Sequence, residues 1–317
     1  MRPSAPSPFV ARVYLILTAV LWSSGSIFIR LLKEPTSLDI HEPRLSSIQI
    51  AVFRAFAAGL VMIPLIRWRT VAFRPAMLGM ILTFASMSGT YLSALDQGPA
   101  ANAIFLQYTA PFWVYVIGVY FLHERTNARA TQAILLGLVG ALVIVIGGWP
   151  TGLSEEQRGQ EITILSMAVA SGVFYAGVIL FLRALRDCDT AYLVFLNNLG
   201  SGLTLAFAVL LVNGIAFWWD WITMPSARQL AFLSAYGIVQ MALPYWLFSR
   251  GLRTLSSQEA ALITLLEPIL NPLWAYLITP EQDRPTTPMY IGGTLILIAL
   301  VWRYIPARRT RDGLSPP

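Results

Sequence analysis

The chain predicts an all-α integral membrane protein of ten transmembrane helices, arranged as two five-helix repeats of inverted topology. Three observations lead there. The 317 residues are 56% hydrophobic and 12% charged, whereas a soluble domain averages about 25% charged and needs that polarity to cover its surface. Ten apolar runs approach the roughly 20 residues that cross a bilayer core as helix. Two stretches also echo each other: Ala94-Leu95, Ala103, Pro111 and Glu124 match Gly251-Leu252, Ala260, Pro268 and Glu281, all 157 positions apart.

The runs cover residues 10–32, 47–66, 75–95, 100–122, 128–148, 159–182, 190–216, 227–249, 256–277 and 287–304. They are helices because lipid offers no partner to an open backbone group. A barrel strand would show short alternating stretches, which are lacking. Turn formers punctuate the runs at Glu34-Pro35, Arg74-Pro75, Gly98-Pro99, Trp149-Pro150, Pro225 and Pro285. The links are too short for a separate soluble domain. The first run exceeds a signal h-region and lacks a prompt cleavage site, so it is expected to be a retained span. The two repeats are expected at 10–148 and 159–305.

Arginine placement sets the orientation. With the N-terminus inside and ten crossings, fifteen of the 22 basic residues fall on the inner side. Only Lys33, Arg44, Arg158, Arg228 and Arg284 fall outside, as the positive-inside bias requires. Both termini are then cytoplasmic, and five spans per copy make the second copy enter the membrane opposite to the first. Paired inverted repeats around a midplane site are a common transporter plan.

Few polar groups lie at membrane depth, and each is a candidate for a site. Arg54 sits seven residues into the second run, suited to an anion or a gate ion pair, or to snorkelling. Arg30 reads as a snorkelling residue. Glu267 precedes Pro268 in the middle of the ninth run, where proline removes a helix hydrogen bond. Pro111 marks the equivalent break in the fourth run, flanked by Gln107, Tyr108 and Thr109. Glu259 lies nearer the cytoplasmic end, as an inner gate or a solvated helix end. Trp22, Tyr91, Tyr175, Tyr245 and Trp246 are of the type that lines an aromatic cage. Asn102, Asn197 and Asn271 add amides. In Asn197-Asn198, adjacent side chains point about 100° apart, so one can face a cavity while the other links helices. Trp218, Trp219 and Trp221 read as interfacial anchors.

Several chemistries find no support. Cys188 is the single cysteine, which excludes intrachain disulfides and thiolate clusters. His123-Glu124 lacks the second histidine of a zinc protease motif, and no phosphate-binding GxxxxGK[ST] is present. The net charge of +6 is dispersed among connections rather than gathered in a stripe for nucleic acid. No enzyme activity, cofactor or metal is expected. The expected partners are lipid and a small-molecule substrate, with the protein a monomer or weak dimer.

Taken together, the chain resembles the EamA-type, ten-span members of the drug/metabolite transporter superfamily. The resemblance rests on Trp22-Ser23, Phe53-Arg54, Ala94-Leu95 with Ala103 and Pro111, and His123-Glu124-Arg125. Its second occurrence is Gly251-Leu252, Glu259-Ala260-Ala261, Leu266-Glu267-Pro268 and Gly292-Gly293. It covers residues 11 to 305. One departure is Pro280-Glu281-Gln282-Asp283-Arg284, where the family has a compact Gly-Glu-Arg-like turn. The resemblance implies a central cavity lined by the first four spans of each half, with the fifth and tenth peripheral. It also implies export of small metabolites, often amino acids, from a bacterial cytoplasm through the inner membrane. A zwitterion would place its cationic group at Glu267 and its anionic group toward Arg54. Proton coupling through Glu267 and plain facilitated diffusion both remain open, and a passive channel or a non-transporting scaffold are the rival classes.

Overall fold

A computed structural model describes residues 5–36, 38–97, 106–123, 126–147, 155–278 and 287–304. Its helices are α1 (Pro8–Ser23), α2 (Gly25–Lys33), α3 (Ser47–Leu60), α4 (Pro75–Gln97), α5 (Ala110–Tyr120), α6 (Ala128–Gly147) and α7 (Glu155–Ala184). They continue as α8 (Thr190–Thr223), α9 (Ala227–Tyr236), α10 (Leu243–Gly251), α11 (Ser257–Thr264), α12 (Glu267–Ile278) and α13 (Thr287–Tyr304). A π-helical turn, Gly237–Ala242, joins α9 to α10. Among the described residues, six helical segments are long and apolar enough to cross a membrane, and Ala110–Tyr120, Ala128–Val143 and Tyr290–Ala299 are shorter apolar helices. The protein is a multi-pass, all-α integral membrane protein.

The helices pack mostly across the halves of the chain: α3 on α8, α4 on α7 and α8, α1 on α10, α11 and α12, α5 on α7 and α11, and α6 on α13. Close contacts give the directions. An added Cβ on Gly59 would meet Leu199, and one on Gly202 would meet Ala55 and Val52, so α3 and α8 run antiparallel. Gly147 against Pro288 and Gly140 against Gly292 and Ile296 make α6 and α13 antiparallel as well. By contrast, Arg12 meets Glu259 and Ser26 meets the Asn271 carbonyl, so α1–α2 and α11–α12 run parallel.

Two capping boxes tie one end of the bundle together. Ser46 and Ser226 each cap a helix reciprocally with Gln49 and Gln229. The same glutamine amides reach the opposite half: Gln49 Nε2 donates to the Trp221 carbonyl (2.6 Å), and Gln229 Nε2 to Ile40 (3.0 Å) and Pro43 (2.8 Å).

The seventh run extends beyond its expected end. The helix kinks at Gly214 (φ 81, ψ 170) and continues to Thr223, a backbone conformation that glycine adopts freely. This placement changes the reading of the tryptophans. Trp221 is buried and donates to Ser46 Oγ (3.3 Å), and Trp218 donates to the Ala206 carbonyl (2.9 Å). Only Trp219, 62% exposed, has the exposure of an interfacial anchor.

At the arginine-rich end the halves close on each other. Ala11, Leu15, Ala58, Met62, Met77, Ile179, Leu182, Phe248, Leu252 and Ala260 share one buried apolar cluster. Arg12 Nε pairs with Glu259 Oε1 at 3.0 Å, linking α1 to α11. Arg253 Nη2 donates to the Cys188 carbonyl and to Thr190 Oγ1, both at 2.8 Å, and the Arg183 guanidinium donates to the Leu252 carbonyl.

Candidate functional site

Two helix breaks fall at equivalent positions in the two halves of the chain. The turn at Tyr108–Thr109 precedes Ala110-Pro111, and the turn at Leu265–Leu266 precedes Glu267-Pro268. These positions again differ by 157. Both prolines occupy the second residue of the new helix, where a missing N–H does no harm to the turns beyond it. The cost falls one turn earlier, leaving the carbonyls of Gln107 and Thr264 without their usual partners. Shortened bonds bridge each gap: Phe112 N–H to Thr109 O (2.9 Å) and Ile269 N–H to Leu266 O (3.2 Å). Gly172 of α7 makes the first break accessible to its neighbour. A Cβ there would lie 2.7 Å from Thr109 Oγ1, 2.9 Å from Leu106 O and 3.1 Å from Gln107 O.

The first run is broken too, after Ser24. Here the cause is serine rather than proline. Ser23 and Ser24 hydroxyls donate to the carbonyls of Val20 (2.7 Å) and Leu21 (2.6 Å), competing with the helix for its own acceptors. Ser26 Oγ then donates to the Asn271 carbonyl (3.2 Å), and Trp274 Nε1 donates to Ser23 Oγ (2.8 Å). The break therefore docks onto α12 beside Glu267.

Beneath it lies an aromatic group. Trp22 meets Tyr245, Phe248 and Tyr175 with ring centroids 5.0, 5.1 and 6.0 Å apart, and Phe84 meets Tyr245 at 5.2 Å. Such edge contacts contribute about 0.5–1.5 kcal/mol each beyond area burial. All five rings are buried, yet Trp22 Nε1 has no hydrogen-bond partner. Trp246 does not join them. It lies under the Arg250 guanidinium, 3.9 Å from the ring centroid, because successive helix residues diverge by about 100°.

Arg54 is 8% exposed and makes no ion pair among the described residues. Instead, Nη1 donates to Tyr236 Oη (2.9 Å) and Gln240 Oε1 (3.3 Å), and the guanidinium lies 5.1 Å from the Tyr236 ring centroid. Gln240 Nε2 in turn donates to the carbonyl of Trp22 (3.3 Å). This chain joins α1, α3 and the π turn. It depends on Gly237, since a Cβ there would sit 2.2 Å from the Arg54 carbonyl.

Glu267 and Tyr91 are each half-buried. Tyr108 and Tyr91 pack in one apolar cluster with Leu266, the residue before Glu267, and Thr264 Oγ1 donates to the Ala261 carbonyl (2.8 Å). Arg54 and Glu267 make no ion pair with each other among the described residues.

The expected site residues sort accordingly. Trp22, Tyr175 and Tyr245 come together, and Arg54 is tied to the Trp22 carbonyl through Gln240. Tyr91 and Tyr108 pack in a second apolar cluster, Glu267 opens α12, and half-buried Gln107 lies at the first break. Asn271 contributes its backbone carbonyl to the docking of Ser26. Asn197 is 1% exposed with neither amide atom partnered, while Asn198 Nδ2 bonds the Val194 carbonyl one turn back (3.0 Å) instead of linking helices. Glu259 lies apart from this group, at the closed end. Asn102 lies outside the described residues. Sequence reasoning missed Tyr236 and Phe84. The spacing Tyr236-x-x-x-Gln240, one helical turn, is the signal that places both on the face opposite Arg54.

Comparison with known proteins gives this arrangement a family. The EamA-like transporter family model matches residues 10–146 and again 162–304. The chain belongs to the EamA-like transporter family. With it comes membership of the drug/metabolite transporter superfamily. This EamA-like transporter is 26% identical to an uncharacterized transporter of Archaeoglobus fulgidus, over 91% of this chain and 95% of the relative. It is 26% identical to a pseudopaline exporter of Pseudomonas aeruginosa, over 94% and 97%. It is 23% identical to an S-adenosylmethionine/S-adenosylhomocysteine transporter of Chlamydia muridarum, over 92% and 91%. A solved crystal structure shares the fold, with a TM-score of 0.73 over 96% of this chain and all of the other at 16% identity. The protein is thus a transporter, non-enzymatic and independent of a cofactor. Among the described residues no group of three or more His, Cys, Asp or Glu could hold a metal ion.

Proposed function

We propose that this EamA-like transporter is an alternating-access carrier that exports amino acids or related amphoteric metabolites from a bacterial cytoplasm. One observation carries the reading: Arg54 and Glu267 both lie at membrane depth and form no ion pair among the described residues. A buried charge without a counter-ion costs several kcal/mol. Two such charges facing one space are offset when a substrate brings both complements, an anion for Arg54 and a cation for Glu267. The broken helices at Pro111 and Pro268 supply freed carbonyls beside that space. The aromatic group formed by Trp22, Tyr175 and Tyr245 accepts the substrate's apolar part. One relative is named for S-adenosylmethionine, a molecule that itself carries an ammonium and a carboxylate on one carbon.

The architecture belongs to the same proposal: ten spans, two inverted repeats at 10–148 and 159–305, both termini cytoplasmic, and a monomer or weak dimer. The antiparallel pairs α3–α8 and α6–α13 support the inversion, because each joins equivalent helices of the two copies. The pair Arg12–Glu259 lies on the cytoplasmic side in this orientation, so this conformation is closed toward the cytoplasm. A reducible bis-methanethiosulfonate crosslink between Arg12→Cys and Glu259→Cys, made in a Cys188→Ser background, tests the cycle. Reconstituted into proteoliposomes, the crosslinked protein should lose counterflow of labelled L-amino acids and regain it on reduction. Undiminished flux through the crosslinked protein would rule out alternating access at that end.

A further inference from the structure

The manner in which Arg54 is held determines which of its edges a ligand meets. A guanidinium presents five N–H donors in a planar fork, and a carboxylate pairs best with two parallel ones. Both protein hydrogen bonds of Arg54 leave from Nη1, to Tyr236 and Gln240. Nε is buried without a partner, and Nη2 has no acceptor among the described residues. The free pair, Nε and Nη2, is one of the two edges that can hold a carboxylate side-on. Glycine makes the clamp fit on the opposite edge. A Cβ on Gly25 would lie 3.3 Å from Gln240 Nε2 and 3.5 Å from Tyr236 Oη. Tyr236 is itself fixed by stacking on Phe28, with centroids 4.6 Å apart and planes 6° from parallel. Gln240 is fixed by donating to the Trp22 carbonyl.

We infer that the Nε–Nη2 edge of Arg54 is a carboxylate-binding site, and that Tyr236 and Gln240 are positioning residues that select for carboxylate by occupying Nη1 and leaving this edge without a protein partner. Because the Tyr236 and Gln240 oxygens are neutral, they orient the guanidinium without cancelling its charge. Lysine in place of Arg54 keeps the charge but loses the two-pronged geometry. The inference deepens the proposed function, on whose shared substrate space it rests, and adds the geometry of recognition.

The test is isothermal titration of the full chain in nanodiscs with three probes: L-phenylalanine, phenylpropionate lacking the amine, and phenethylamine lacking the carboxylate. Wild type should bind both carboxylates at least tenfold more tightly than phenethylamine. Arg54→Lys should lose most of that preference. Tyr236→Phe and Gln240→Leu should weaken the carboxylates several-fold while leaving phenethylamine unmoved, which a merely structural role would not do. Equal affinity for the three probes, no binding of either carboxylate, or a uniform loss in Tyr236→Phe would overturn the assignment. Counterflow of L-phenylalanine in proteoliposomes separates the two claims. Carboxylate-selective binding without flux keeps the site and refutes the transport reading, whereas flux without carboxylate preference does the reverse.

Discussion

The two helix breaks share a backbone design and differ in chemistry. Each has a two-residue turn followed by a proline in the second position of the next helix. Ala110 stands before one proline and Glu267 before the other, and Ala110 is fully buried while Glu267 is half-buried. The first break contributes the buried phenol of Tyr108 and the second a carboxylate. Equivalent backbones thus carry side chains that have diverged. The duplicated geometry opens the helices, and the unmatched residues set what binds there.

The sharpest way to break this comparison is to erase the asymmetry. Glu267→Gln makes the second break as uncharged as the first, and amino-acid counterflow should fall by the equivalent of about 2–5 kcal/mol, the usual effect of truncating one partner of a desolvated charged contact. Equal flux in that variant would assign Glu267 to architecture.

Arg54→Met asks the same question of the other pole, with a second readout that moves the opposite way. Flux should fall by about 1.5–3 kcal/mol, the size of a hydrogen bond to a charged group. Thermal stability should hold or rise, because an unpaired buried charge is exchanged for apolar packing of similar volume. A drop in both would make Arg54 a structural residue.

Gly172→Val addresses the first break alone, where no equivalent carboxylate is at stake. Its Cβ would press on Thr109 Oγ1 and two break carbonyls, and overpacking of that kind costs about 1–3 kcal/mol in thermal denaturation. Unchanged stability would mean that the break at Tyr108–Thr109 is pliable.

The smallest effect is expected at the closed end. With Arg12 partly exposed (side-chain exposure 43% against 11% for Glu259), the pair is worth no more than about 0.2–1 kcal/mol after solvent screening. Arg12→Gln should raise maleimide labelling of a Leu15→Cys thiol, in a Cys188→Ser background, less than about fivefold. A much larger rise would promote this ion pair from a latch to the main lock.

Much of this was legible in residue order. Hydropathy located the helices because lipid enforces length and saturation of the backbone. Pro111 and Pro268 located both breaks because a missing N–H acts locally. The depth of Arg54 and Glu267 marked them as candidates by cost alone. Partners across the bundle were harder. Tyr236 carries no charge, and its meaning comes from an arginine 182 positions away. The π turn at Gly237–Ala242 follows from the close crossing over the Arg54 carbonyl, a tertiary fact. Trp246 was misplaced by its neighbour Tyr245, since adjacent residues on a helix share a depth but not a face. The break after Ser24 did have a local signal, the run Ser23-Ser24-Gly25-Ser26, whose hydroxyls compete for helix carbonyls.

The central claim is that one substrate spans Arg54 and Glu267. Its most direct measurement is a double-mutant cycle on L-phenylalanine counterflow in proteoliposomes, using Arg54→Met, Glu267→Gln and the pair. If both charges hold the same molecule, each single variant forfeits most of the flux and the double variant loses little more, leaving a coupling energy above about 1 kcal/mol. Strictly additive losses, or saturable wild-type flux untouched by either change, would contradict it.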